Sequence, residues 1–211
     1  GGHRVADAVF EAITGIKGVF ATRIAYISVA GKPPSQRYRQ IVADADGNKE
    51  FVMLESAQPI MSPAWSPDGR QLAYVSFEMG RAAVYVQTLR TGTRRVVSNK
   101  PGVNNAPSWS PDGRELALTR SDPDGNLDIY VIPIIGDGET RLTTRRSIDT
   151  EPSWSMDGKF IYFTSDRGGA PQIYRVPVSG GDVSRVTFEG RYNARSRIAA
   201  DGRTMAVVHD D

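Results

Sequence analysis

The sequence predicts an all-β fold, a β-propeller of four-stranded antiparallel blades preceded by one short α-helix. Three observations point there. A word returns along the chain as Ser62-Pro63-Ala64-Trp65-Ser66-Pro67-Asp68-Gly69, Ala106-Pro107-Ser108-Trp109-Ser110-Pro111-Asp112-Gly113 and Glu151-Pro152-Ser153-Trp154-Ser155-Met156-Asp157-Gly158. A worn fourth copy is Ser196-Arg197-Ile198-Ala199-Ala200-Asp201-Gly202. Its aspartates Asp68, Asp112, Asp157 and Asp201 stand 44, 45 and 44 residues apart, the length of one four-stranded blade and too long for most helical-pair repeats. Between the words lie short β-branched and aromatic runs bounded by Gly, Pro, Asn and Asp, the pattern of strands joined by tight turns.

Residues 4 to 14 place Val5, Val9 and Ile13 on one face among helix-forming alanines, with Gly15 as C-cap. This helix is too short to be stable alone, so its apolar face is expected to pack on the propeller or on a preceding domain. Residues 16 to 22 read as a linker. Three strands follow, Ile24 to Val29, Tyr38 to Ala43 and Phe51 to Leu54. The run Ile24-Ala25-Tyr26-Ile27 matches Leu72-Ala73-Tyr74-Val75, Leu116-Ala117-Leu118-Thr119 and Ile161-Tyr162-Phe163-Thr164, each the second strand of its blade. The opening blade therefore lacks a first strand.

The next blades run from about Met61 to Ser98, Asn105 to Thr143 and Thr150 to Thr187, with outer strands at Ala82 to Leu89 and Arg94 to Ser98, Asp128 to Ile134 and Glu139 to Leu142, and Gln172 to Val178 and Ser184 to Thr187. A last blade has two strands, Arg195 to Ala199 and Thr204 to His209. Propellers close by pairing strands from the two ends of the chain, which removes exposed edges. Here the C-terminal end supplies a first and a second strand while the opening blade needs only a first, so Thr204 to His209 is left over, and an incomplete ring and a fragment of a longer protein are expected.

The chain has 211 residues, 39% hydrophobic and 24% charged, enough for a soluble globular core. A net charge of +2 with dispersed basic residues argues against nucleic acid as a partner. With no cysteine there are no disulfides, thiol nucleophiles or thiolate metal sites. No basic-then-apolar leader and no run of about 18 apolar residues occurs, so neither a signal peptide nor a membrane span is expected in this form.

Catalytic signatures are missing. The only histidines are His3 and His209, and no Gly-x-Ser-x-Gly elbow, phosphate loop or dinucleotide fingerprint occurs. The Asp122 to Asp128 and Asp44 to Asn48 runs place oxygens at alternate positions but fail the calcium-loop pattern at Leu127 and Pro133, and at Lys49; both read as hairpin turns. The Ser-Pro-Asp-Gly segments read as turns rather than an acidic ring around the channel. Trp65, Trp109 and Trp154 read as wedges between blades rather than as a ligand platform. No enzyme, cofactor or metal site is expected; a binding module is.

In a propeller the loops entering each first strand gather at one mouth of the channel. Here they are about 55 to 62, 99 to 106, 144 to 151 and 188 to 195, carrying Met61, Ser62, Asn104, Asn105, Asp149, Thr150, Glu151, Tyr192 and Asn193, a mixture suited to a peptide.

The words His3-Arg4-Val5-Ala6-Asp7, Ile13-Thr14-Gly15-Ile16-Lys17-Gly18, Thr22-Arg23-Ile24-Ala25-Tyr26, Gln58 to Gly69 and Thr150-Glu151-Pro152-Ser153-Trp154 closely resemble the TolB family of the Tol-Pal system in Gram-negative bacteria. The resemblance covers essentially the whole chain, and the helix-to-propeller junction makes it specific. It implies an N-terminal α/β domain, of which residues 1–22 are the last helix and linker, followed by a six-bladed propeller, of which residues 23–211 supply about four and a half blades. It also implies a periplasmic, non-catalytic scaffold for outer-membrane integrity and cell division, peripheral to the membrane through its partners. The lipoprotein Pal would bind the mouth, which some colicins share, and TolA would bind an N-terminal segment not in this sequence. Carried over, the Pal-facing loops match Val103-Asn104-Asn105-Ala106 and Asp149-Thr150-Glu151; with Met61, Ser62 and Asn193 from the loops above and Arg195 beside them, these are the expected protein-binding residues. The family often has His at Val103 and an acidic residue near Arg195, two departures that bear on the charge of the mouth. The runner-up is a substrate-gating propeller of a prolyl-oligopeptidase-like peptidase, and a repeat array with no ligand is the third reading.

Overall fold

The computed structural model describes residues 2–16 and 18–211. The chain divides into two compact units, Gly1–Ile60 and Met61–Asp211.

The first unit holds helix α1 (Gly2–Thr14) and the antiparallel strands β1 (Arg23–Ala30), β2 (Arg37–Asp44) and β3 (Phe51–Ser56), in the order β1-β2-β3. Gly15 ends the helix at φ 70° and donates its N–H to Glu11 O at 2.8 Å, a left-handed C-cap that a side chain would strain. The expected linker is folded back on the helix. Both Asp7 carboxylate oxygens accept main-chain N–H groups, from Phe20 at 2.6 Å and Ala21 at 2.9 Å. Gly18 permits the approach, since a Cβ there would collide with Asp7 Oδ1. Phe10 meets Phe20 edge to face at 5.8 Å. The Val5, Val9 and Ile13 face is not packed within these 211 residues: these side chains are exposed, and no described residue of α1 is buried. A polar pin and one aromatic contact attach the helix to the segment that follows it. The Asp44 to Asn48 run is a hairpin turn, with Asp44 N–H on Asn48 O at 2.9 Å.

The second unit begins within β4 (Ile60–Trp65), which forms a four-stranded sheet with β5 (Gln71–Ser76), β6 (Ala83–Thr88) and β7 (Arg94–Ser98). The pattern repeats in β8 (Asn104–Trp109), β9 (Glu115–Ser121), β10 (Leu127–Pro133) and β11 (Thr140–Arg141), and in β12 (Asp149–Trp154), β13 (Phe160–Ser165), β14 (Gln172–Pro177) and β15 (Ser184–Arg185). Strands β16 (Tyr192–Ile198) and β17 (Met205–Asp210) make a two-stranded sheet. These are the four-stranded antiparallel blades that the period predicted. Their first strands start earlier than the sequence suggested, because Asn104 to Ala106, Asp149 to Glu151 and Tyr192 to Arg195 are strand rather than loop.

Each middle sheet is buried on both faces. Val75, Val84 and Val86 of one sheet pack against Leu116, Leu118, Tyr130 and Ile132 of the next. From that sheet's other side Ala117, Ile129 and Val131 pack against Ile161, Phe163, Tyr174 and Val176. This explains why second and third strands read as continuous apolar runs rather than alternating ones. The tryptophans tie consecutive sheets together through hydrogen bonds as well: Trp109 Nε1 donates to Ala64 O and Trp154 Nε1 to Ser108 O, both at 3.0 Å.

The repeated turn is built the same way three times. In one copy Ser110 Oγ donates to Asp112 Oδ1 at 2.7 Å and accepts Glu115 N–H at 2.9 Å, while Asp112 Oδ1 also accepts Arg114 N–H at 3.0 Å. Ser66 with Asp68 and Ser155 with Asp157 repeat it. In the worn copy Ala199 has no hydroxyl, and Asp201 instead accepts the N–H groups of Arg203 and Thr204 at 2.9 and 3.2 Å. The serine hydroxyl first, and the backbone N–H second, hold Asp68, Asp112 and Asp157 below the ordinary aspartate range.

Trp109→Phe keeps most of the ring but leaves the Ala64 carbonyl without its indole donor, and is expected to lower stability in urea unfolding by about 1–2 kcal/mol. The turn aspartates titrate lower folded than unfolded, so their stabilisation is complete above the unfolded value of about 3.9 and is lost as pH falls through the folded values. Ser110→Ala should raise the Asp112 pKa in an NMR titration and shrink that acid-labile contribution; an unmoved Asp112 would contradict the turn's account.

Candidate functional site

The first strands of the second unit open with equivalent residues. The first position is Ile60, Asn104, Asp149 and Asn193; the second is Met61, Asn105, Thr150 and Ala194; the third is Ser62, Ala106, Glu151 and Arg195. Every residue at the third position has a left-handed backbone, with φ of 54°, 50°, 56° and 55°. Register shifts mark bulges at three of them, between Asn105 and Ser108, Thr150 and Ser153, and Ala194 and Arg197. A non-glycine residue pays about 1–2 kcal/mol for this conformation, which persists where surrounding bonds enforce it.

For Glu151 and Arg195 the enforcing bonds come from the neighbouring sheet. Glu151 N–H donates to Thr119 Oγ1 at 3.2 Å, and the Thr119 hydroxyl donates to Thr150 Oγ1 at 3.2 Å. One sheet further on, Arg195 N–H donates to Thr164 Oγ1 at 3.1 Å, and the Thr164 hydroxyl donates to Glu151 Oε2 at 3.1 Å. Val75 holds the corresponding place in the first four-stranded sheet and offers no hydroxyl; there Asn105 Oδ1 accepts Ala106 N–H at 2.7 Å and the Ser62 hydroxyl at 3.2 Å. Glu151 Oε1 also accepts Arg195 Nε at 2.6 Å, and this carboxylate raises the Arg195 pKa above its ordinary value.

The first-position side chains shape the loops. Asn104 is fully buried, donates to Lys100 O at 2.7 Å and Ala82 O at 3.1 Å, and accepts the Ser98 hydroxyl at 2.6 Å. Asn193, also buried, donates to Glu189 O at 2.7 Å and Gln172 Oε1 at 2.9 Å, with its Oδ1 2.9 Å from His209 Nδ1. Asp149 accepts Arg167 Nη2 at 2.7 Å and the Ser147 hydroxyl at 3.1 Å. Of the eleven residues named from the sequence, these three are therefore loop anchors whose side chains are inside. Met61, Val103 and Arg195 are exposed, whereas Ser62, Asn105, Ala106, Thr150 and Glu151 are half-buried. Sequence reasoning missed Thr119 and Thr164, although a threonine in an otherwise apolar second strand at the place of Val75 was a visible signal.

The turn aspartates bond within their own turns and lie apart from this rim. Trp65, Trp109, Trp154, Pro63, Pro107 and Ile198 line a cavity of about 450 Å3 along the first strands, with Trp109 and Trp154 only 7% exposed; they are wall rather than platform. In the first unit His3, Asp44 and Asp46 bring ligand atoms within 4.8 Å of one another. The Lys49 ammonium already lies 3.1 Å from Asp44 Oδ2 within the hairpin, and His3 Nε2 of the helix lies 3.2 Å from Asp46 Oδ2, so these groups already have protein partners.

The family profile described as the TolB beta propeller domain matches residues 10–211. The chain is 53% identical over 206 residues to the Tol-Pal system protein TolB of Xanthomonas oryzae pv. oryzae, covering 98% of this chain and 47% of that protein. It is 51% identical over 182 residues to the Bordetella pertussis protein of the same name, covering 86% of this chain and 40% of the relative. The crystal structure of TolB from Acinetobacter baumannii superposes with a TM-score of 0.93 at 48% identity over 99% of this chain and 52% of that one. The chain thus spans about half the length of these relatives or less. A puromycin-hydrolysing peptidase of Mycobacterium tuberculosis superposes with a TM-score of 0.62 at 16% identity, a likeness of fold alone.

Thr164→Val is expected to fold, since Val75 occupies the equivalent place, but to lose about 1 kcal/mol in urea unfolding as Arg195 N–H loses its acceptor. Asn104→Ala removes a buried hub and should cost about 3 kcal/mol; a cost no larger than that of Thr164→Val would show the loop to be held by other contacts.

Proposed function

The chain belongs to the TolB β-propeller family, and from that premise we propose that it is a non-catalytic periplasmic scaffold whose channel mouth binds the lipoprotein Pal. Residues 1–22 belong, in this reading, to the end of an N-terminal α/β domain, and residues 23–211 supply about four and a half blades of a six-bladed ring. TolA is engaged through a segment outside these 211 residues, colicins that mimic Pal use the same mouth, and the assembly supports outer-membrane integrity and constriction at division. No described helix is long and apolar enough to cross a membrane.

One observation carries the site. Four repeat-equivalent residues, Ser62, Ala106, Glu151 and Arg195, hold the same left-handed backbone at the same end of the first strands, and strain of this kind gathers at ligand clamps. Around it the exposed Met61 and Val103, the half-buried Asn105 and Thr150, and the Glu151–Arg195 pair offer mixed apolar and polar contacts, with Asn104, Asp149 and Asn193 setting the loops beneath them.

Isothermal titration of the full-length protein with the soluble domain of Pal should give saturable one-to-one binding. Thr150→Ile and Glu151→Lys should each weaken it by about tenfold or more, with unchanged circular dichroism. Unchanged affinity in both would remove this mouth as the Pal site, and no binding by the wild type would remove Pal as the partner.

A further inference from the structure

The Glu151–Arg195 pair supports a chemical inference about the partner that rests on the mouth being a protein-docking site. Both carboxylate oxygens of Glu151 are engaged inside the protein, Oε1 by Arg195 Nε at 2.6 Å and Oε2 by the Thr164 hydroxyl at 3.1 Å. Thr164 Oγ1 also accepts Arg195 N–H at 3.1 Å, so the main chain and the guanidinium of Arg195 are held by the same two residues. The Glu151 side chain is 22% exposed and the Arg195 side chain 71%. Among the described residues Nε alone of the guanidinium nitrogens makes a hydrogen bond; both Nη groups, with four of the five donors of an arginine, are unused.

A group approaching this rim therefore meets a pre-oriented cation before it meets the carboxylate. A lysine or arginine of the partner would have to displace Arg195 from a 2.6 Å bond to reach Glu151. A carboxylate finds the planar fork that guanidinium offers and needs no rearrangement. We infer that this mouth receives its protein partner through a carboxylate of that partner, bound by the two Nη groups of Arg195, with Glu151 and Thr164 as positioning residues.

The decisive measurement does not use Pal. The 15N-labelled full-length protein is titrated with the capped tripeptides Ac-Ala-Glu-Ala-NH2 and Ac-Ala-Lys-Ala-NH2, following the Arg195 guanidinium resonance identified by its loss in Arg195→Lys. The inference expects a saturable shift with the glutamate peptide, suppressed by sodium chloride and weakened in Glu151→Gln, and none with the lysine peptide. No shift with the glutamate peptide, or an equal shift with both, overturns it. In titrations with the soluble domain of Pal, Arg195→Gln should bind about tenfold more weakly, with Arg195→Lys between it and the wild type. Equal or tighter binding by Arg195→Gln overturns the inference while leaving Pal as partner. A protein that answers the glutamate peptide but not Pal keeps the inference and loses that partner.

Discussion

Each β-sheet in the middle of the second unit is buried on two faces, and that constraint governs the rest of the structure. A single antiparallel sheet of about four short strands cannot bury enough apolar surface to offset the entropy of ordering it. The sheet of β8 to β11 solves this by presenting Leu116, Leu118, Tyr130 and Ile132 to one neighbour and Ala117, Ile129 and Val131 to the other. A fully buried leucine or isoleucine side chain contributes about 1.5–3 kcal/mol, so these contacts outweigh any single hydrogen bond. Apolar burial is non-directional, however, and would tolerate sheets sliding over one another. The indole N–H bonds of Trp109 and Trp154 to the carbonyls of the preceding sheet are directional, and they fix how consecutive first strands align.

The rim of left-handed residues depends on that alignment. The backbone of Glu151 is held by a hydroxyl from Thr119, 32 residues earlier, and that of Arg195 by Thr164, 31 residues earlier. Both bonds cross from one sheet to the next. The sheet stack thus does more than support loops at one end: it supplies the acceptors that keep unfavourable left-handed residues in place. A rim assembled across sheets is rigid where it is bonded and adjustable in its exposed side chains, and docking of a partner there, as proposed above, would need little rearrangement.

The two units treat charge and apolar surface differently. In the second, buried polar groups such as Asn104, Asp149 and Asn193 are satisfied by loops and neighbouring strands, as burial without water requires. In the first, helix α1 is attached by Asp7 to the main chain of Phe20 and Ala21 and by the contact of Phe10 with Phe20. Its Val5, Val9 and Ile13 face remains exposed.

The repeat period and the chemistry of Ser-Pro-Asp-Gly were enough to determine the sheets, their strand order and the three-stranded and two-stranded sheets at the two ends, because both signals are local: a turn needs its own few residues, and a buried strand shows itself as an apolar run. The role of the tryptophans was legible for the same reason, as a large ring with one donor recurring on successive first strands. Tertiary structure alone decided the rim. Residues before proline read as loop, whereas Asn104 to Ala106 and Asp149 to Glu151 continue the strand through a bulge, since the acceptors that stabilise the bulge lie on another sheet. It also decided that Asn104, Asp149 and Asn193 turn inward, that Thr119 and Thr164 matter, and that Glu151 and Arg195, 44 residues apart in sequence, are one ion pair. Contacts between residues so distant leave no periodic trace, so no reading of composition or spacing could supply them.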